Sequence, residues 1–233
     1  MVNRLDVALD VGPTTDQIAL AYDGGDPVTL SLTHGTYWTL AELCDHIQDL
    51  AVADVDASVV VQETNGVVAF SAGGTDLAIT WPRPSLQWWL GYDGVTTTAA
   101  ASHSGATSPA VWRAQMVWDD ARPLGWEWSV RHGDGPRGQG RIVAIGQLTR
   151  MSTYARVSVH ELAQARSVMA LLLRGLPATW WRDTGNVFAF STTNWRGFVR
   201  VRLAPDQRAY ADQWRRQAPR QILELPLELI VEA

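Results

Sequence analysis

The dipeptide Asn65-Gly66, set between Val59-Val60-Val61 and Val67-Val68-Ala69-Phe70, constrains this chain more than any other feature. Both residues tolerate the positive φ of a type I′ turn, and the flanking runs suit a pleated surface, so the segment reads as a β-hairpin. A hairpin commits its surroundings to an antiparallel sheet, and a sheet with one apolar face needs a layer packed on it. Leu40, Leu43, Ile47 and Leu50 supply that layer, because steps of three and four residues place them on one face of a helix over about 39–52. Thr39 and Glu42 have capping-box spacing at its start.

Most of the remaining chain alternates with period two. Leu5, Val7, Leu9 and Val11 alternate with Asp6, Ala8 and Asp10, the pattern of a half-buried strand that Gly12-Pro13 ends. Ile18, Leu20 and Tyr22 lead through the turn Asp23-Gly24-Gly25-Asp26 into Val28, Leu30 and Leu32. Leu77, Ile79 and Trp81 form a further strand, stopped by Pro82 and Pro84; Ser85 then opens a short helix through Trp89 that Gly91 closes. Residues 94–110 are small, polar and low in complexity, which reads as a linker or long loop.

Beyond it strands are expected over 112–118, 126–130, 142–148, 187–190 and 198–203. One helix, about 159–174, interrupts them, with Ser158 and Glu161 as a second capping box and Gly175 as its stop. Its apolar face is Leu162, Ala165, Met169 and Leu172. The alternating leucines of 222–231 read as an edge strand, since Pro226 cannot donate to a ladder. The expected fold is α+β: two small, mostly antiparallel β units, each with one principal helix. They divide into an acidic domain over 1–95, a linker or long loop over 94–110, and an arginine-rich, mainly β domain over 111–233.

Charge sharpens this division. Residues 1–110 hold 2 arginines, Arg4 and Arg83, against 13 acids, a net −11, while residues 111–233 hold 17 arginines against 11 acids, a net +6. Identical subunits with complementary halves suit head-to-tail packing, and the acidic half would repel DNA, so no direct nucleic-acid binding is expected. Every basic residue is arginine. The absence of lysine removes Walker-type phosphate loops, Schiff-base chemistry and kinase-type ATP binding. No apolar run is long enough to span a membrane, and Asp6 and Asp10 interrupt the N-terminal apolar stretch that a secretory signal would need. The single cysteine, Cys44, cannot form an intrachain disulfide, so synthesis and assembly in a cytoplasm are expected.

Motifs for chemistry are sparse. His34, His46, His103, His132 and His160 include no pair at metal-ligand spacing, and no Cys-x-x-Cys or Gly-x-Ser-x-Gly occurs. Cys44 and His46 stand two apart on the expected helix and so face different ways; Cys44 reads as a small apolar residue beside the core. The acid pairs Asp54 with Asp56 and Asp119 with Asp120 read as solvated faces. His132-Gly133-Asp134 reads as a turn. Residues 133–140 form a glycine-rich loop flanked by strands, with Pro136 removing an amide donor, which favours a hairpin tip over a phosphate cradle. Arg131, Arg137 and Arg141 on that tip could touch an acidic neighbour. Tryptophans number 12, and Trp88-Trp89, Trp126 with Trp128, and Trp180-Trp181 admit two readings: core or interface anchors, or a platform for sugar rings. The candidate subunit contacts are therefore Arg131, Arg137, Arg141, Trp88 and Trp89, with no catalytic, cofactor or metal residue expected.

One stretch carries a resemblance. After a strand, Gly-Thr-Tyr-Trp-Thr-Leu-Ala-Glu-Leu (35–43) opens a helix that includes Ile47-Gln48. The Asn-Gly hairpin follows, then Leu77-Ala78-Ile79-Thr80-Trp81, then a short helix closing on Leu90-Gly91-Tyr92-Asp93-Gly94. Residues 28–94, under a third of the chain, thus resemble structural proteins of the tail or neck-to-tail region of tailed-bacteriophage virions. The terminal Leu-Glu-Leu-Pro-Leu-Glu-Leu also looks like a tail subunit's final strand. Two departures are Pro82-Arg83-Pro84, where the pattern has a proline-free connection, and the adjacent tryptophans Trp88 and Trp89. The resemblance implies a non-enzymatic virion protein, made in the host cytoplasm and placed in the tail, that forms a ring-type homo-oligomer and contacts other tail proteins. It brings no catalytic residues. The alternative is a carbohydrate-binding module of a phage adhesin or receptor-binding protein, and a third reading is a hydrolase with an unrecognised site.

Overall fold

The structure, a computed structural model, describes residues 2–93, 96–118, 125–134, 140–158, 161–181, 198–203 and 222–231. The chain begins with β1 (Val2–Val7), β2 (Leu9–Val11), β3 (Gln17–Tyr22), β4 (Val28–Ser31), β5 (Gly35–Tyr37), α1 (Leu40–Asp54), β6 (Val60–Thr64), β7 (Val67–Ser71), β8 (Leu77–Thr80) and α2 (Pro84–Trp89). It continues with β9 (Thr96–Ala100), β10 (Ser102–Thr107), β11 (Val111–Trp118), β12 (Gly125–Asp134), β13 (Gly140–Ser158), α3 (Leu162–Leu173), β14 (Ala178–Trp181), β15 (Phe198–Leu203) and β16 (Ile222–Val231). This is the expected α+β class, with small sheets whose described pairings are antiparallel.

The Asn65-Gly66 turn forms as its residues dictate, with φ of 56° and 87°, and pairs Val61 with Phe70 across β6 and β7. β10 extends this pair into a sheet of order β10-β7-β6, and a second sheet runs β4-β3-β8-β9. Ile18, Leu20, Leu30, Val68, Phe70 and Ile79 from the two sheets share one core with Leu40, Leu43, Cys44 and Ile47 of α1. The cap of α1 is the one its spacing promises: Glu42 N donates to Thr39 Oγ1 at 3.1 Å, and Glu42 Oε2 accepts from Trp38 N at 2.8 Å. Gln48 of the same helix accepts from Val61 N and donates to Val59 O, which occupies backbone groups along β6 that could otherwise recruit another strand.

The other large sheet closes on itself. β11 pairs with β1, β1 with β14, β14 with β15, β15 with β16, β16 with β13, and β13 returns to β11, a six-stranded antiparallel ring. Register aligns Trp112, Leu5 and Trp180 in one row and Val111, Asp6, Thr179 and Arg200 in the next. Alternation sends successive rows to opposite faces. The first row joins Val168, Met169 and Leu172 of α3 in a core of its own. The second meets the α1 unit. Val111 enters that unit's core, Thr179 Oγ1 donates to Trp38 O at 3.0 Å, and the Arg200 guanidinium lies 4.0 Å from the Trp38 ring centroid.

Several local expectations change. The alternating run 5–11 is not one strand: it breaks at Ala8, whose N–H donates to Pro177 O, so Leu5 and Val7 fill one core while Leu9 and Val11 fill the other. Asp6 is 1% exposed, because Arg4 bonds it through Nε and Nη2 at 2.6 and 2.8 Å. β1 also belongs to the barrel of the second half, although it lies within the expected 1–95 domain.

Within the stretch expected as a linker or long loop over 94–110, Thr96–Ala100 and Ser102–Thr107 are strands, since β9 and β10 pair with β8 and β7. Threonine tolerates a sheet well, and the small residues allow a close approach that bulky ones would block. Gly91 and Ala106 meet so tightly that a Cβ on Gly91 would sit 2.2 Å from Ala106 O. Ser108 anchors the end of the segment: its N–H donates to Gly66 O, its hydroxyl to Trp89 O, and its carbonyl accepts from Gln164.

The second capping box does not form, because Ser158 ends β13 and Glu161 stands at the cap of α3 with no side-chain bond to it. Gly175 does take the left-handed conformation, φ 88°, just past that helix. Pro84, read as a breaker, is instead the first residue of α2, where a missing N–H costs nothing. His132-Gly133-Asp134 ends β12 and is not a turn. β16, expected at an edge, has β13 along its whole length and β15 along Leu229–Val231; around Pro226 only β13 pairs with it among the described residues. The strand expected over 187–190 lies outside the described residues.

Candidate assembly interface

A closed barrel has no edges, yet one part of this sheet escapes the closure. Among the described residues β13 pairs with β11 at residues 153–156 and with β16 from Thr149 onward. From Gly140 to Leu148 its described partner is β12 alone, and β12 has no second neighbour among the described residues. The two strands therefore leave the barrel as a ribbon whose two edges are open among the described residues. The eight residues of β12 from Glu127 to Asp134 span roughly 27 Å at the usual strand rise. A register shift between Trp128 and Val130, of the bulge type, lies near its base and marks a local change of twist.

The candidate arginines fall on this ribbon where they are described. Arg131 stands opposite Val143 and Arg141 opposite Gly133, so the two occupy diagonal positions two rungs apart near the tip, with the His132–Ile142 pair between them. Arg137 lies outside the described residues. The tryptophan pair is on α2: Trp88 is 47% exposed, whereas Trp89 is half-buried and packs against both cores. Their rings meet edge to face at 5.6 Å, which leaves Trp88 as the outward member of a rigid pair. Trp180 is 3% exposed and belongs to the barrel core, as does Trp112, so neither offers a surface to a sugar.

α1 presents the opposite charge. Glu42, Asp45 and Asp49 recur at helical spacing along its exposed side, and Asp54 ends it with no basic residue in the last turn. The Asp54 carboxylate at the helix C-terminus opposes the helix dipole, with no basic residue in that last turn to offset it.

The polar groups around Arg4 are committed to structure. Arg4 ties β1 to β6 by donating to both Glu63 oxygens at 2.9 and 3.1 Å, in addition to Asp6. Burial alone would lower its pKa, but Asp6 and Glu63 outweigh that and hold it above its ordinary value. Glu63 also accepts from Gly66 N at the hairpin turn. An open pocket of about 220 Å³ beside this network is lined by Cys44, Asp45, Gln62 and Glu63 among others. Cys44 has 1% exposure, and burial pushes its thiol up to about 12, so at neutral pH it stays protonated and unreactive. Among the described residues no three metal-ligating side chains converge, and no helix is long and apolar enough to cross a membrane.

Sequence reasoning named the ribbon's arginines and the α2 tryptophans, and the structure places them on separate elements with no described contact between them. It missed the ribbon's length, the Arg4 network and the Trp38–Arg200 stack. Arg4 stood out in the sequence as one of only two basic residues in the first 110. The chain matches no family model, no curated protein and no solved structure.

Proposed function

We propose that this chain is a structural subunit that assembles with copies of itself into a ring, and that it serves in the tail of a bacteriophage virion. The observation that carries the assembly reading is the β12–β13 ribbon, which leaves a closed barrel with both edges open among the described residues. A lone two-stranded ribbon is marginal in water, and open edges recruit further strands. One edge belongs to β12 and the other to β13; pairing β12 of one copy with β13 of the next is heterologous, and heterologous contacts close into rings when the rotation per step permits. The −11 and +6 halves support the same geometry, with Arg131 and Arg141 of one copy facing acidic surface on the next. The virion part rests on the resemblance of residues 28–94 to tail and neck-to-tail proteins. In this reading the chain has no catalytic role and needs no cofactor, and its other partners are neighbouring tail proteins.

Negative-stain microscopy and sizing of the purified chain test the reading, and rings are the expected result. Salt should slow assembly, since screening acts over about 8–10 Å at physiological ionic strength. An Arg131→Gln, Arg141→Gln variant should assemble more slowly at low salt and lose most of that salt dependence. A chain that stays monomeric at every concentration, or a variant indistinguishable from wild type throughout, would refute the charge-guided ring. The exposed Trp88 favours a second reading, a carbohydrate-binding module. Glycan-dependent quenching of its fluorescence in a monomeric chain would support that instead.

A further inference from the structure

Residues 33–38 form a strap between α1 and the barrel. At one end Thr33 N donates to His46 Nε2 of α1 at 3.2 Å, and Tyr37 OH donates to Thr33 O at 3.1 Å. The Tyr37 ring also lies 5.6 Å from the His46 ring. In the middle, β5 pairs with β2, and Thr36 Oγ1 donates to Asp10 at 2.6 Å. At the far end Trp38 meets Thr179 and Arg200 of the barrel. A second histidine, His34, sits beside Thr33 with its Nε2 3.0 Å from Asp16 Oδ2.

The two histidines have opposite hydrogen-bonding roles. A backbone N–H can only donate, so the Thr33 bond requires a bare Nε2 on His46, with the proton of the neutral ring on Nδ1. A second proton on that ring would set donor against donor. His34 faces an ionised carboxylate, which only accepts, so its Nε2 donates whether the ring is neutral or cationic. Acid therefore removes one tie and spares its neighbour. His46 is faced by Thr33 and Tyr37 from the strap. Glu42 and Asp49 lie one turn to either side of it on α1, and His34, Asp16 and Arg83 are the ionisable groups of the adjoining loops.

We propose that the Thr33–Trp38 strap is a pH-responsive element: a proton on His46 Nε2 removes the tie from Thr33 to α1, while His34 and Trp38 keep its neighbouring anchors. The released segment includes β5 and ends at the residue that stacks on the barrel, so protonation on α1 is transmitted to the junction between the two units. This device is independent of whether the chain forms rings.

Amide hydrogen exchange on the full chain between pH 8 and pH 5, corrected for the intrinsic pH dependence of exchange, reads the Thr33 bond directly. Wild type should lose about fivefold protection at Thr33 across this range. His46→Gln keeps an acceptor at every pH and should hold its protection, while His34→Gln should follow the wild-type profile. A flat wild-type profile, or equal loss in wild type and His46→Gln, would overturn the proposal. Nitrogen NMR of the His46 ring needs no variant: the proposal requires the Nδ1–H tautomer at pH 8, and an Nε2–H tautomer would sink it.

Discussion

Replacing Gly91 with alanine should destabilise the fold by about 3–5 kcal/mol, and the reason is contact more than backbone conformation. Gly91 has φ of 79°, and the left-handed region costs an L residue about 1–2 kcal/mol. The added Cβ would also lie 2.2 Å from Ala106 O and 3.0 Å from the Ala106 carbonyl carbon. Those are backbone atoms, so no rotamer change relieves the overlap and β10 must move. That movement breaks the 2.7 Å bond from Ala106 N to Gly91 O and strains the anchor at Ser108, each worth about 1 kcal/mol. Gly24 provides the control. Its φ is 70°, and a Cβ there meets nothing within 4 Å, so Gly24→Ala carries the conformational cost alone. Urea unfolding followed by tryptophan fluorescence should separate the two variants by about 2–3 kcal/mol. Equal destabilisation of about 1–2 kcal/mol in both would mean that β10 yields freely, and that 94–110 behaves as the compliant loop its composition suggests.

Leu43 is 1% exposed in the core under α1, so Leu43→Ala should cost about 2–5 kcal/mol; an unchanged thermal midpoint would contradict its placement. Thr39→Ala should cost about 1 kcal/mol through loss of the α1 cap, whereas Ser158→Ala should leave α3 intact because Glu161, not Ser158, stands at its cap position; helix content and urea midpoints distinguish them. The hydrogen bond from His34, with Arg83 adding, holds the Asp16 carboxyl below its ordinary value of 3.8. A depressed folded-state pKa means that this stabilisation is present above pH 3.8 and disappears as pH falls through the lower folded value. Asp16→Asn should therefore lower the urea midpoint at neutral pH and converge on wild type in stronger acid; curves that stay parallel down to about pH 2 would show that Asp16 is not linked to folding.

What the sequence by itself determined is what depends on residues close together along the chain. The I′ turn needs two adjacent residues with positive φ, the apolar stripe and cap of α1 need spacings of three and four, and the stop at Gly175 needs one residue without a Cβ. Such features are decided by local sterics and periodicity, and they survive in the fold nearly as read. The candidate site was legible in the same partial way: residue types flagged Arg131, Arg141 and Trp88, but the windows 126–130 and 142–148 fall short of β12 and β13 as they stand. A strand's length is decided by the partner it finds, and no composition announces that partner. Tertiary structure alone decided that the alternating run 5–11 is divided between two cores, that the threonines of 96–100 are paired, and that the barrel closes from β13 to β11. It also brought Arg4 to Glu63 across 59 positions and Thr179 to Trp38 across 141. An apolar face or a charge specifies that it must be covered or neutralised; which distant surface does so follows from shape and register summed over the whole chain.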